Sequence, residues 1–481
     1  MSIYQADAPT LTSRSTFLGE GSYGCVYYPG ISCAGKQNKK RLITKIQDIN
    51  FYSDNEKSIG IYIKNNIANY KKYFSPIVKF CIVTFNTLEK SHLDIAKCNI
   101  LFEEYNEENA HAAYHANHGN HVNRVNYNNS IVNNKYILMY SPYIKSYTIK
   151  DYYIDHDFEF TFNILNHIYK TLYSVSLLNK VGIIHNDLHM GNILINLKNN
   201  NPIIIDFGLS FNINNCYKLS KDYIDFQYIK KFTFDYRNDS YHFNIEKRFI
   251  SFIIFNKLED FTMEIYDNND NNAVSKEAIN YFIADTYNSM IDNEEISRFF
   301  NNDEMSDYKK ALARFYYQFL DKHKYPKYNS IVKYLLDYVY AYNDLYSLTI
   351  NLVYLYHLKD IKTIERGGER ARFFLNNQEQ EIIEIFIQLY KKVIYPDPAM
   401  RLKIGEVLEL YKFIISFIQN YDLKTAKNTI RLDFISALVK FLKSQNISIK
   451  IVFYKKFAFL NFNLLCSQSL FETVKHSSIK F

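Results

Sequence analysis

The sequence predicts an α+β chain of two lobes, a small β-rich lobe followed by a larger helical one. Three observations predict this. Short β-like runs flank a glycine-containing turn between residues 17 and 47. Helical periodicity dominates from residue 158 onward. Within the second region two apolar runs, Ile193-Leu-Ile195 and Ile203-Ile-Ile205, form a short hairpin with Asp187 and Asn192 before it and Asp206 after it.

The small lobe is expected over 15–140, after an N-terminal extension of 1–14. Phe17-Leu-Gly enters the turn, Cys25-Val-Tyr-Tyr28 leaves it, and Leu42-Ile-Thr-Lys-Ile46 is a third strand. Asp54–Tyr70 has helical spacing, with Ile59, Tyr62, Ile63 and Ile67 on one side. Ile77–Phe85 and Lys135–Tyr140 read as two more strands, separated by a polar insert near 90–134. A hinge is expected at 140–147. The large lobe runs over 141–420, opening with an amphipathic helix at Phe158–Lys180 that has Phe162, Leu165, Ile168, Leu172 and Val175 on one stripe. Helices are expected near 273–297, 305–321, 329–358, 378–393 and 403–419, with a long insertion between 209 and 343 and a C-terminal extension at 421–481.

Composition excludes several classes. Hydrophobic residues are 47% of the chain, enough to build a core and too many for a disordered polymer. The net charge of +7 comes from 57 basic and 50 acidic residues, too mixed for a dedicated nucleic-acid binder. The many Asn, Lys, Ile, Tyr and Phe residues, with no Trp, reflect AT-rich codons. The six cysteines (Cys25, Cys33, Cys81, Cys98, Cys216 and Cys466) contain no C-x-x-C pair, so free thiols in a reducing compartment are expected. There is neither a signal segment at the N-terminus nor an apolar run long enough to span a membrane; Leu345–Leu358 comes nearest. A cytoplasmic protein is expected.

The chemistry is concentrated in four places. Leu18-Gly19-Glu20-Gly21-Ser22-Tyr23-Gly24-Cys25-Val26 has glycines at the spacing that brings backbone N–H groups against phosphate oxygens. A strand follows the third glycine, so a strand–loop–strand flap over a nucleotide fits better than a dinucleotide-binding turn, which needs a helix there. Lys45 lies 21 residues past Gly24, where its ammonium would reach the α and β phosphates. It needs an acid to hold it, and Glu56 is preferred over Asp48 and Asp54. Asp187 is placed to take a hydroxyl proton, while Asn192 and Asp206 are hard oxygen ligands suited to Mg²⁺. Asp344 lies in an apolar helix, where a carboxylate needs buried partners, and Asp397-Pro-Ala-Met-Arg401 offers a late basic anchor. The run His111, His115, His118 and His121 has metal-like spacing but no acid or Cys partner at matching offsets.

Together these motifs resemble the eukaryotic-type protein kinase superfamily over roughly 15–420. The resemblance implies a bilobal protein-kinase-like fold and the cofactors ATP and Mg²⁺. It makes 18–26 the nucleotide loop, Lys45 and Glu56 an activating ion pair, Asp187 the proton acceptor, and Asn192 and Asp206 the metal ligands. It also implies transfer of the γ-phosphate of ATP to Ser/Thr hydroxyls of protein substrates. Asp344 resembles the structural Asp of the central large-lobe helix, and Arg401 the arginine that anchors the end of the activation segment. Gly21-Ser-Tyr-Gly-Cys-Val-Tyr-Tyr-Pro-Gly-Ile-Ser-Cys33, Tyr73-Phe-Ser-Pro-Ile77 and His-Asn-Asp-Leu-His resemble divergent serine/threonine kinases of large eukaryotic DNA viruses. That likeness implies a host-cell cytoplasmic location, with packaging into virions left open.

Departures from the family pattern keep two alternatives in view. Asn186 stands where many kinases have Arg, so switching by an activation-loop phosphate is not expected. His189 stands where serine/threonine kinases carry Lys, as in small-molecule phosphotransferases of the aminoglycoside and choline type, and no Ala-Pro-Glu is present. A pseudokinase scaffold is the third reading, although neither the lysine, the base nor the metal-binding Asp is missing.

Overall fold

A computed structural model of the protein describes chiefly residues 15–101, 135–264, 280–285, 300–365 and 391–420, with short gaps inside these ranges. The chain forms two compact units, Met1–Asn269 with Tyr328–Lys362, and Asp270–Lys327 with Thr363–Phe481.

The first unit begins with a five-stranded antiparallel sheet in the order β1-β2-β3-β5-β4. Its strands are β1 (Thr16–Gly21), β2 (Gly24–Tyr28), β3 (Leu42–Asp48), β4 (Lys79–Thr84) and β5 (Lys135–Pro142). Helix α1 (Phe51–Asn66) separates β3 from β4, and a single turn, α2 (Phe85–Glu89), follows β4. The helix was expected to start at Asp54. It starts earlier because Asn50 caps it, accepting from the N–H groups of Tyr52 and Ser53, while the Ser53 hydroxyl returns a bond to the Asn50 backbone. One core face of the sheet is built from Tyr27, Ile46, Val83, Tyr136 and Leu138. Alternate residues of β4, Phe80 and Ile82, face outward at the sheet edge, 41% and 57% exposed.

Two disulfides close within this lobe, Cys25–Cys98 and Cys33–Cys81. They correct the expectation of free thiols, and the reducing compartment inferred from it loses that support. The partners are 73 and 48 residues apart, so no local spacing announces them; each bond ties a strand residue, Cys25 of β2 or Cys81 of β4, to a cysteine outside the sheet. Cys216 is a buried free thiol, and burial raises its pKa.

The helical part of this unit continues with β6 (Ser146–Thr148), α3 (Ile149–Asp155), α4 (Phe160–Lys180), β7 (Ile183–Ile184), β8 (Ile193–Asn196) and β9 (Asn201–Ile204). Strands β6, β8 and β9 form a small sheet packed on α4. Then come β10 (Phe211–Asn212), which pairs with β7, the hairpin β11 (Tyr217–Lys218) and β12 (Tyr223–Ile224), and the short α5 (Phe226–Lys230). Helix α6 (Ile245–Glu264) lies where the sequence shows no period. Its buried residues Ile245, Phe249, Ile250, Phe252, Ile253 and Ile254 occupy several faces, which leaves no stripe to read.

Helix α7 (Asn302–Tyr317) belongs to the second unit, helix α8 (Tyr328–Glu365) almost wholly to the first, and helix α9 (Ile404–Asn420) to the second. In the second unit a capping box at Asn301 and Glu304 starts α7, Lys391 bonds Glu304 at 2.7 Å, and Phe282 packs edge-on against Tyr316. No helix among the described residues is long and apolar enough to cross a membrane.

The N-terminal extension, the histidine run, most of the insert near 90–134, most of the helices expected at 273–297 and 378–393, and the C-terminal extension lie outside the described residues. The fold is α+β and bilobal, a β-sheet lobe joined to a helical lobe.

Candidate active site

The glycine motif forms the β1–β2 hairpin, with Gly21 opposite Gly24 and Ser22 and Tyr23 outside the described residues. Leu18 falls in a register shift between Phe17 and Gly19. Glu20 accepts from the Ile100 N–H at 3.3 Å, and Cys25 and Val26 pair with Ile46 and Lys45 of β3. Gly24 is required by packing: a Cβ there would lie 2.4 Å from the Ile46 carbonyl oxygen.

Lys45 sits mid-strand between Val26 and Met139. Its ammonium donates to Glu56 Oε2 at 2.9 Å and to Asp206 Oδ1 at 3.0 Å. Both Lys45 and Glu56 are nearly buried. Burial acts to lower the lysine pKa, but Asp206 and Glu56 outweigh it and raise it. Burial pushes Glu56 up to about 7 against the pull of Lys45. Burial also acts to raise Asp206, but Lys45 and the Gly208 N–H outweigh it and hold the group below its usual value. Of the competing acids, Asp54 pairs with Lys57 at 2.6 Å on the exposed face of α1.

Two further contacts fix α1 over the site. The Asn55 amide donates to the carbonyls of Gly208 at 3.0 Å and Ser210 at 2.7 Å. Gly60 lies against the Ile77 backbone, which leads into β4. The segment before β4 is in turn bonded to β9, through Ser75 N–H to Ile204 O and Ile204 N–H to Tyr73 O, both at 3.0 Å. Phe207 is fully buried, with its ring against Phe74 and His185.

The loop 185–192 is held from below by Asp344 in α8. Its two carboxylate oxygens accept from the N–H groups of His185 at 2.7 Å and Asn186 at 3.0 Å. This answers the need of a buried carboxylate for partners. Asn186 and Asp206 both have left-handed backbone, φ 68° and 59°. Non-glycine residues adopt it at a cost, and it concentrates at functional sites. The Asn186 amide donates to the carbonyls of Leu209 at 3.0 Å and Phe232 at 3.5 Å, so it joins the loop to both ends of the segment after Asp206.

Asp187 is partly exposed. Asn192 Nδ2 donates to the Asp187 carbonyl at 2.8 Å and to its carboxylate at 3.4 Å. That commits the Asn192 nitrogen and leaves its amide oxygen as a donor atom for a metal. The bonds to Asp206 fall on Oδ1, and its side chain is 39% exposed. An amide oxygen and a carboxylate oxygen are hard donors, so this pair fits a magnesium ion. His189 Nδ1 accepts from the Gly191 N–H at 3.0 Å, which places its proton on Nε2, 3.9 Å from the Asp187 carboxylate.

Arg401, in the second unit, is buried and bonded to the carbonyls of Tyr395 and Pro396. Sequence reasoning missed Asn55 and the bridging role of Asn186. A polar residue within a helix carries no local mark of a distant carbonyl partner.

Residues 103–230 match the family model described as protein kinase domain. No curated protein matches the chain. The match spans the loop with Asp187 and Asn192 and the segment after Asp206, and the sheet lobe contributes Lys45 and Glu56 to the same cleft. Residues 103–230 therefore carry a protein kinase domain, which supports a kinase activity.

Proposed function

We propose that this kinase transfers the γ-phosphate of ATP to serine and threonine hydroxyls of protein substrates, with Asp187 as proton acceptor. The observation that carries the reading is the convergence of Lys45, Glu56 and Asp206 within 3.0 Å contacts, beside the loop that bears Asp187 and Asn192. The acceptor oxygen forms a bond to the γ-phosphorus as the bond from phosphorus to the β–γ bridging oxygen breaks. ADP leaves, and the hydroxyl proton passes to Asp187. Lys45, held by Glu56, orients the α and β phosphates, and the backbone of the β1–β2 hairpin covers them. Magnesium held by Asn192 and Asp206 would supply charge neutralisation on the phosphates. Most of the acceleration comes from positioning and fixed charge.

His189 in place of a lysine favours a second reading, transfer to a small-molecule alcohol. Labelled ATP offered with casein or a basic protein, beside a panel of small alcohols, separates the two, and phosphoamino-acid analysis identifies the acceptor. Asp187→Asn and Lys45→Met should each lower turnover by about two orders of magnitude or more, with the fold intact. Near-normal turnover in either variant refutes the assigned role.

A further inference from the structure

The loop 185–192 carries the Asp187 carboxylate but no lysine or arginine. Lys45 is committed to Glu56 and Asp206. Phosphoryl transfer delivers further negative charge to this place. A cation reaches it from a separate element. Lys247 lies in the first turn of α6, 4% exposed, with its backbone N–H bonded to the Asn244 side chain at 2.9 Å. Its Nζ donates to the Asn186 carbonyl at 3.4 Å, the peptide immediately before Asp187. Lysine is almost never this buried unless it is paired. Asp187 and Asp344 both act on it electrostatically. It also borders a cavity of about 20 Å³, with Asn186, Phe211, Cys216, Phe232 and Leu336. That is room for about one water, and the Asn186 side-chain oxygen is buried there without a hydrogen-bond partner among the described residues.

We propose that Lys247 is a positioning residue for phosphoryl transfer: its ammonium holds the Asn186–Asp187 peptide and sets a positive charge behind the Asp187 carboxylate. This rests on the reading of Asp187 as proton acceptor. The charge keeps Asp187 ionised and offsets the approach of the phosphates. The groups facing it are Asp187 on the loop, Asp344 on α8 and the Cys216 thiol, with Glu246 and Arg248 beside it on α6. Burial pulls the Lys247 pKa well down, while the two carboxylates pull it back up. Lys247 therefore sheds its proton at a lower pH than an ordinary lysine, and activity should fall on the alkaline side as it does.

The test measures kcat, the KM for ATP and the pH profile of the full chain and its Lys247→Gln, Lys247→Arg and Asp187→Asn variants. The glutamine variant should lose about ten- to a hundredfold in kcat with the KM for ATP within about twofold. The arginine variant should keep most of kcat and move the alkaline limb to higher pH, because a guanidinium stays charged. A glutamine variant within about twofold of the native kcat overturns the proposal. Equal losses in both variants with an unmoved alkaline limb also overturn it, since packing alone would give that result. Should the glutamine variant fail to fold, the alkaline limb of the arginine variant decides. An Asp187→Asn protein with native turnover instead sinks the reading of Asp187, whatever the Lys247 variants do.

Discussion

Gly60 offers a test of how the Lys45–Glu56 pair is held. It lies four residues after Glu56 on α1, on the same helix face. A Cβ at this position would sit 1.9 Å from the Ile77 carbonyl oxygen. A relaxed carbon–oxygen contact is about 3.3 Å, so Gly60→Ala demands a retreat of about 1.4 Å. The Ile77 side resists, because the residues just before it are bonded to β9. The helix must yield and carry Glu56 with it. The 2.9 Å bond to Lys45 would then open to about 4 Å, beyond hydrogen-bonding range. Alanine by itself favours a helix over glycine by roughly 0.5–1 kcal/mol, whereas forcing atoms into a packed site costs roughly 1–3 kcal/mol. Net destabilisation is expected, with kcat/KM for ATP down about tenfold or more. Thermal unfolding and steady-state kinetics on the same preparation read both effects. A variant that melts at or above the native temperature with native kcat/KM would refute the argument.

Three further outcomes are expected. The Asn186 amide bridges Leu209 and Phe232 without any phosphate, so phosphatase-treated protein should keep its activity in a label-transfer assay; complete loss would contradict this. His167 is buried, with Nδ1 accepting from the Tyr153 hydroxyl at 2.6 Å and Nε2 donating to Asn200, and burial lowers its pKa to about 4. The unfolded chain binds this proton near pH 6.5 and the folded chain does not, so stability present above pH 6.5 is lost as pH falls toward 4. The loss is about 2 kcal/mol between pH 7 and 5, and His167→Gln should flatten that slope in denaturant titrations. Reduction of Cys25–Cys98, which spans 73 residues, should cost up to about 4 kcal/mol by loop entropy, read as a lower melting temperature in thiol reductant; identical melting with and without reductant would rule the bond out.

The parts legible in the sequence were those whose chemistry sits in a short window. The β1–β2 hairpin, the β8–β9 hairpin with its flanking polar groups, and α4 all announce themselves through alternation, glycine spacing or a single apolar stripe. Glu56 could be preferred because few acids lie near the start of α1. The disulfides leave no spacing pattern because each joins a strand residue to a connecting segment 48 or 73 residues away. Helix α6 went unassigned because burial on several faces erases periodicity, and Lys247 was hidden with it. Asn55 and Asn186 act through backbone carbonyls more than twenty residues away, and a carbonyl leaves no trace in residue identity.

Asp344 grips two successive amides from the middle of a long helix. Both bonds need an acceptor, so an asparagine there would turn a nitrogen toward a nitrogen. The aim of the reacting loop is thus tied to helical register. One residue inserted or deleted between the start of α8 and Asp344 would swing the carboxylate about 100° around the axis and let the loop go. This stretch should tolerate exchange of its outward side chains far better than any change in its length.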